Sequence, residues 1–149
     1  MGPITSTLPV RLSRRLLWTG LERKAADPVP FLPAVTGCTV LERYPDGLLR
    51  EIVVRGEQRQ RERVTFAPPD RMDFAQLTEP LWQTISNIIG DGPGGTTLTL
   101  SLQLSPAGEE KARLEPQYLA AMRDFVESTL VAVVETLHRT STEQAGRAR

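Results

Sequence analysis

Apolar and polar side chains alternate at the start of the chain. Ile4, Ser6, Leu8 and Val10 fall on one side and Thr5 and Thr7 on the other, which predicts a strand over residues 4–10. From residue 13 to residue 26 the period lengthens. Leu17, Leu21 and Ala25 share one helical stripe with Trp18 beside it, and Ser13 suits the N-cap. Asp27-Pro28 then offers a cap and a first-turn proline for a second short helix, which Pro30 and Pro33 hold to about one turn. Six further strands follow at short spacing, over residues 38–44, 48–55, 59–66, 72–77, 81–89 and 96–104. Pro45-Asp46-Gly47, Gly56-Glu57-Gln58 and Pro68-Pro69-Asp70 read as tight turns, and residues 90–95, rich in glycine, as a mobile loop. Near the end Leu119, Met122, Val126, Leu130, Val133 and Leu137 recur at helical spacing, with Tyr118, Phe125 and Val134 widening the stripe. A helix over residues 116–138 would be ~34 Å long. Its apolar face is too broad for a surface helix, so it must lie across a large apolar surface. Residues 139–149 are polar and are expected to form a loose tail.

Turn lengths predict which side chains point inward, because a slip of one residue exchanges the faces of a strand. Three-residue loops at 45–47 and 56–58 place Tyr44 opposite Leu48, Glu42 opposite Arg50, and Val40 opposite Ile52. One face then carries Cys38, Val40, Tyr44, Leu48, Ile52, Val54, Val64 and Phe66. The other carries Arg43, Glu51, Arg55, Arg59, Arg61 and Arg63. Met72, Phe74 and Gln76 continue the inner face. So do Trp82, Thr84, Ser86 and Ile88, with Leu81, Ile85 and Ile89 as the competing set, and finally Leu98, Leu100, Leu102 and Leu104. Polar groups therefore lie among the inward residues: Glu42, Arg50, Gln60, Glu62, Gln76, Thr84 and Ser86. Buried charges must be paired or hydrated. One reading is a partly hydrated cavity with aliphatic walls and convergent polar groups. The other is a solvent-exposed rim of cross-strand ion pairs, each stabilising by only ~0–1 kcal/mol. On the cavity reading, Arg50→Ala lowers ligand affinity without unfolding the domain.

Composition narrows the function classes. Lys+Arg and Asp+Glu are 18 each in 149 residues, so the net charge is zero, and the field of a general nucleic-acid or anionic-membrane binder is missing. The length suits a single domain over residues 1–138. No targeting pattern or apolar run of membrane-spanning length is present, and the expected compartment is the cytoplasm. The single Cys38 excludes an intramolecular disulfide and a multi-cysteine zinc site, and the single His138 excludes a His-rich metal centre; no metal or cofactor is expected. Cys38 reads as a small buried hydrophobe, His138 as a surface group in the last helical turn, and the Arg59, Arg61, Arg63 row as a solvated face. Residues 90–95 lack the ending and the following helix of a phosphate loop.

The order of elements is joined by the segments Leu16-Leu17-Trp18-Thr19-Gly20-Leu21, Lys24-Ala25-Ala26-Asp27-Pro28, Thr39-Val40-Leu41-Glu42-Arg43 and Gly47-Leu48-Leu49-Arg50-Glu51. Arg61-Glu62-Arg63-Val64-Thr65-Phe66, running into Pro68-Pro69, and Thr84-Ile85-Ser86 complete the pattern. With these segments the chain resembles the SRPBCC superfamily, the START-like or helix-grip group that includes birch-pollen-allergen-like proteins and polyketide cyclases, and within it the AtaL-like branch. The resemblance implies an α+β helix-grip fold: a curved antiparallel sheet of seven strands around a long C-terminal helix, with two short helices after strand 1. It also implies a deep cavity for apolar small molecules, and it supplies no shared catalytic set. Three functions stay open. The first is a binding protein for a hydrophobic or aromatic small molecule, contacted by Glu42, Arg50, Gln60, Glu62, Phe74 and Gln76, with Trp82, Thr84, Ser86, Tyr118, Met122 and Phe125 completing the wall. The second is an enzyme of secondary metabolism, a cyclase, dehydratase or hydrolase, with Glu42 or Glu62 as general acid/base and Arg50 holding an anionic oxygen. The third is a partner-binding module that forms a homodimer through outward Leu41, Leu49 and Val53. Ligand identity, turnover, oligomeric state and pathway are not written in the sequence.

Overall fold

The computed structural model describes residues 1–147, with side chains described through residue 141. The chain runs β1 (Ile4–Pro9), α1 (Arg14–Ala26), β2 (Val35–Tyr44), β3 (Gly47–Val54), β4 (Gln58–Ala67), β5 (Arg71–Gln76), β6 (Trp82–Gly92), β7 (Gly95–Leu104), α2 (Pro106–Leu114) and α3 (Pro116–Arg147). All seven strands form one antiparallel sheet in the order β1-β7-β6-β5-β4-β3-β2. Strands β1 and β2 are thus the opposite edges, and α1 with the loop after it carries the chain across the concave side. The core lies between the inner face of the sheet and α3, where Leu98, Leu102, Leu130, Val133 and Leu137 are fully buried.

Local chemistry accounts for the helix ends. The Ser13 hydroxyl accepts from Leu16 N at 3.2 Å and starts α1, and the Leu17, Leu21, Ala25 stripe is wholly buried. The second short helix expected after strand 1 does not form. Asp27 Oδ1 accepts from Val29 N, and Phe31 N and Leu32 N both donate to Pro28 O. This closes a single turn, because Pro30 and Pro33 have no N–H with which to extend it. The additional short helix is instead α2. There the Ser105 hydroxyl accepts from Gly108 N at 3.1 Å, and Pro106 occupies the first turn. Gly108 is required by close approach, since a Cβ there would stand 2.1 Å from Leu81 O.

Helix α3 does not stop at His138. It continues through Arg147, so the loose tail expected from residue 139 is helical to that point, and residues 148–149 lie outside the described residues. Low hydrophobic content does not by itself end a helix, and after His138 the sequence has no proline and no glycine before Gly146. His138 is accordingly not a terminal cap. Its Nε2 accepts from Arg11 N at 2.9 Å, and burial, helped by Arg11, lowers its pKa. The expected mobile loop at 90–95 is a tight hairpin in which Gly92 pairs with Gly95 across Pro93-Gly94.

Two departures from regular alternation decide the site. The β2–β3 turn is shorter than expected: Tyr44 pairs with Gly47, whose φ of 153° and lack of a Cβ let it lie against Val64 O. The register then shifts at Leu41, so that Val40 pairs with Arg50 but Glu42 pairs with Leu49. The same happens at Gln83, where Trp82 pairs with Leu104 but Thr84 pairs with Gln103. Between β3 and β4 the pairing lies two residues from expectation (Arg50 with Glu62, Ile52 with Gln60), which leaves the faces unchanged.

Candidate functional site

A cavity of about 160 Å³ lies between the inner face of the sheet and α3. Its apolar walls come from Ile52, Val54, Phe74, Ile85 and Leu100 on the sheet, with Trp82 and Phe125 meeting at 4.9 Å where sheet and helix approach. The loop after α1 adds Leu32, Pro33, Ala34 and Val35, and α3 adds Thr129. Gln60, Gln76, Glu62, Arg50 and Lys24 supply the polar part of the wall.

The polar part is built around Arg50, which is 2% exposed. Its Nε and Nη2 donate to Glu62 Oε1 at 2.9 and 2.6 Å, and its Nη1 donates to the carbonyl oxygens of Ala25 and Lys24 at 2.9 and 3.1 Å. These carbonyls belong to the last turn of α1, which has no intrahelical donors for them, so Arg50 caps the helix from the sheet. Glu62 Oε2 accepts from Gln76 Nε2 at 2.7 Å, and the same amide reaches Gln60 Oε1 at 3.4 Å. Gln76 Oε1 has no hydrogen-bond partner among the described residues.

Lys24 is the second buried cation, 4% exposed. Its Nζ donates to Asn87 Oδ1 at 3.3 Å and stands 4.2 Å from the centroid of the Phe74 ring, which the Arg50 guanidinium also overlies at 4.9 Å. Burial lowers the Lys24 pKa to about 7, Arg50 pushes it the same way, and Glu62 acts against both. Cys38 donates to Ala26 O at 3.7 Å, and burial raises its pKa, the opposite of what a nucleophilic thiol needs.

Of the residues expected to contact a ligand, Arg50, Gln60, Glu62, Phe74, Gln76, Trp82 and Phe125 line the cavity. Glu42 does not. The shift at Leu41 turns it to the outer face, where it is exposed and accepts from the Tyr44 hydroxyl at 2.7 Å. Tyr44, expected inward, stands outside as well, with Arg63 4.2 Å above its ring. Thr84 and Ser86 also face outward; Ser86 donates to Asp73 Oδ1 and accepts from Arg71, while Ile85 and Ile89 take the inner positions. Tyr118 and Met122 pack against the core outside the cavity.

The sequence reading missed Lys24, although a signal was present. Lys24 lies seven residues after Leu17 and three after Leu21, on the apolar stripe, where a charge is out of place. The Arg59, Arg61, Arg63 row is on the outer face, where Arg59 and Arg61 pair with Glu51, and Arg63 with Asp46. Among the described residues there is no group of three or more His, Cys, Asp and Glu side chains able to hold a metal ion, and no helix is long and apolar enough to cross a membrane.

The sheet, the long helix and the void between them make a helix-grip fold. The chain belongs to the AtaL family, described as acetylaranotin biosynthesis cluster protein L, whose model matches residues 3–140. Among solved structures it is similar to TTHA0849 from Thermus thermophilus, with 16% identity and a TM-score of 0.67 over 93% of this chain and 99% of that one. It is also similar to the Zhui aromatase/cyclase from Streptomyces sp. R1128, with 18% identity and a TM-score of 0.66 over 96% and 94%. The di-domain ARO/CYC StfQ from the steffimycin biosynthetic pathway matches with 18% identity and a TM-score of 0.69, over 97% of this chain and 52% of that one. At these identities the likeness is one of fold. No curated protein matches the sequence.

Proposed function

We propose that this protein binds an apolar, ring-bearing small molecule in the cavity between sheet and helix. The observation that carries the reading is the void of about 160 Å³, walled by Phe74, Trp82, Phe125, Ile85 and Leu100 and closed on one side by a buried polar cluster. Cavities of roughly this size with aliphatic and aromatic walls admit a benzene ring. The unpartnered Gln76 Oε1 gives the wall an acceptor that could orient a donor on the ligand. Because structural relatives are named as aromatase/cyclases, aromatic polyketide-like compounds are the first class to test.

The acid/base alternative has weaker support. Both oxygens of Glu62 are engaged by Arg50 and Gln76, the Arg50 guanidinium is committed to Glu62 and two helix carbonyls, and Glu42 is on the far face. A cyclase or hydrolase role would need groups other than this trio.

The test is a titration with neutral one-ring aromatics followed by tryptophan fluorescence, with Trp18→Phe used to isolate the signal of Trp82. A saturable change is expected with the natural sequence. Ile85→Phe, which fills the void, should weaken binding by about tenfold or more. If aromatics bind equally well to the filled variant, the ligand site is elsewhere.

A further inference from the structure

The charges around the cavity do not balance. Lys24 and Arg50 contribute two cations and Glu62 one carboxylate. That carboxylate is used up, with Oε1 accepting twice from Arg50 and Oε2 accepting from Gln76. Lys24 has three N–H donors when protonated. Among the described residues, only the neutral Asn87 Oδ1 meets them as a hydrogen-bond acceptor, at the long distance of 3.3 Å, and the Phe74 ring supplies the remaining contact. The other elements that line the cavity add no counter-charge among the described residues. The groups of β5 and β6 against Lys24 are Phe74 and Asn87, the α3 residues lining the cavity are Phe125 and Thr129, and the Cys38 thiol of β2 is kept neutral by burial.

Resting on the ligand-cavity reading above, we infer that the natural occupant is an aromatic acid: a single ring carrying one anionic oxygen group, carboxylate or phenolate, which ion-pairs with the Lys24 ammonium while the ring packs against Phe74, Trp82 and Phe125. A neutral aromatic would leave the cluster with an unmatched cation or force Lys24 to shed its proton. An anion restores balance and retains the proton, because an opposite charge at contact distance favours the charged amine. Binding therefore couples to proton uptake. With Lys24 titrating near 7 in the empty protein, the amine is largely neutral one unit higher, and an anionic ligand must bring a proton in with it.

Calorimetry at about pH 8, in two buffers that differ in ionisation enthalpy, reads this directly. Benzoate and 4-nitrophenolate represent the two sources of the anionic oxygen, and benzyl alcohol is the neutral control. Uptake of about one proton per bound anion is expected, with none for benzyl alcohol. Lys24→Met should lower the preference for benzoate over benzyl alcohol by about tenfold or more. Lys24→Arg, which keeps a charge that does not titrate, should bind the anion without proton uptake. Anion binding to the natural sequence with a preference over benzyl alcohol that Lys24→Met leaves unchanged would overturn the inference. If benzyl alcohol binds and neither anion does, the inference fails and the cavity reading survives. If none of the three binds, both fail.

Discussion

Arg50 is the side chain on which the site turns, and its surroundings make it structural before anything else. It joins β3 to β4 through Glu62 and to the end of α1 through two carbonyls. Removing one partner of such a buried pair strands the other, at a cost of about 3–5 kcal/mol. Glu62→Gln, which leaves Arg50 and Lys24 without a carboxylate, and Arg50→Ala, which also uncaps α1, are both expected to lose stability in that range, measured by urea denaturation. The sequence alone suggested that Arg50→Ala would weaken binding without unfolding; the two carbonyl contacts reverse that expectation. The double variant Arg50→Met/Glu62→Met should lose less than the sum of the single changes, because neither charge is then left alone. A strictly additive result would show that the two side chains are not energetically coupled.

At the scale of elements, extra residues in two strands divide the inward residues from the outward ones. A bulge at Leu41 sends Glu42 outside while keeping Val40 beside Arg50, and a bulge at Gln83 keeps Trp82 inside while sending Thr84 and Ser86 out. Regular alternation, which is all that sequence spacing offers, placed all four of these polar or aromatic residues on one face. Helix α2 shows the opposite case. It buries only Gly108 and Ala112, so it left no apolar stripe in the sequence, and residue spacing did not place it. Its seat depends on contact between Gly108 and Leu81 O. Gly108→Ala should therefore destabilise the fold by about 1–3 kcal/mol, since the obstacle is backbone and cannot rotate away. An unchanged thermal midpoint in that variant would show that α2 can shift at no cost.

For the whole molecule, the buried amine ties stability to pH. Folding lowers the Lys24 pKa from 10.5 to about 7, so between those values the unfolded chain binds more protons than the folded one. The penalty for burying the charge is full below about 7, and stability rises as pH increases through the window, by up to ~1.4 kcal/mol per unit. His138, whose pKa is also lowered, adds a further loss of stability on the acid side of 6.5. Cys38, whose pKa is raised from 9.0, opposes the gain above that value. Denaturation midpoints should thus climb from neutrality to just below pH 9, and Lys24→Met should flatten the climb. A bound aromatic would raise the thermal midpoint in proportion to the logarithm of its concentration above Kd.

Alternation and end-signals along the chain determined the seven strands and the first and last helices by themselves, but neither α2 nor the single turn at Pro28. Ser13 opens α1, the Leu98–Leu104 alternation marks β7, and the wide stripe from Leu119 to Leu137 requires a large apolar partner for the last helix, because these are preferences of neighbouring residues. The cavity wall was half legible in the same way, since Arg50, Gln60, Glu62, Phe74 and Gln76 all lie on strands whose parity survived. Only the folded chain decided that Glu42 leaves the site and that Lys24 enters it. A bulge depends on how an edge strand coils against its neighbour, and the charge on Lys24 is set by burial and by Arg50 and Glu62, distant groups along the chain that meet it only when α1 crosses the sheet.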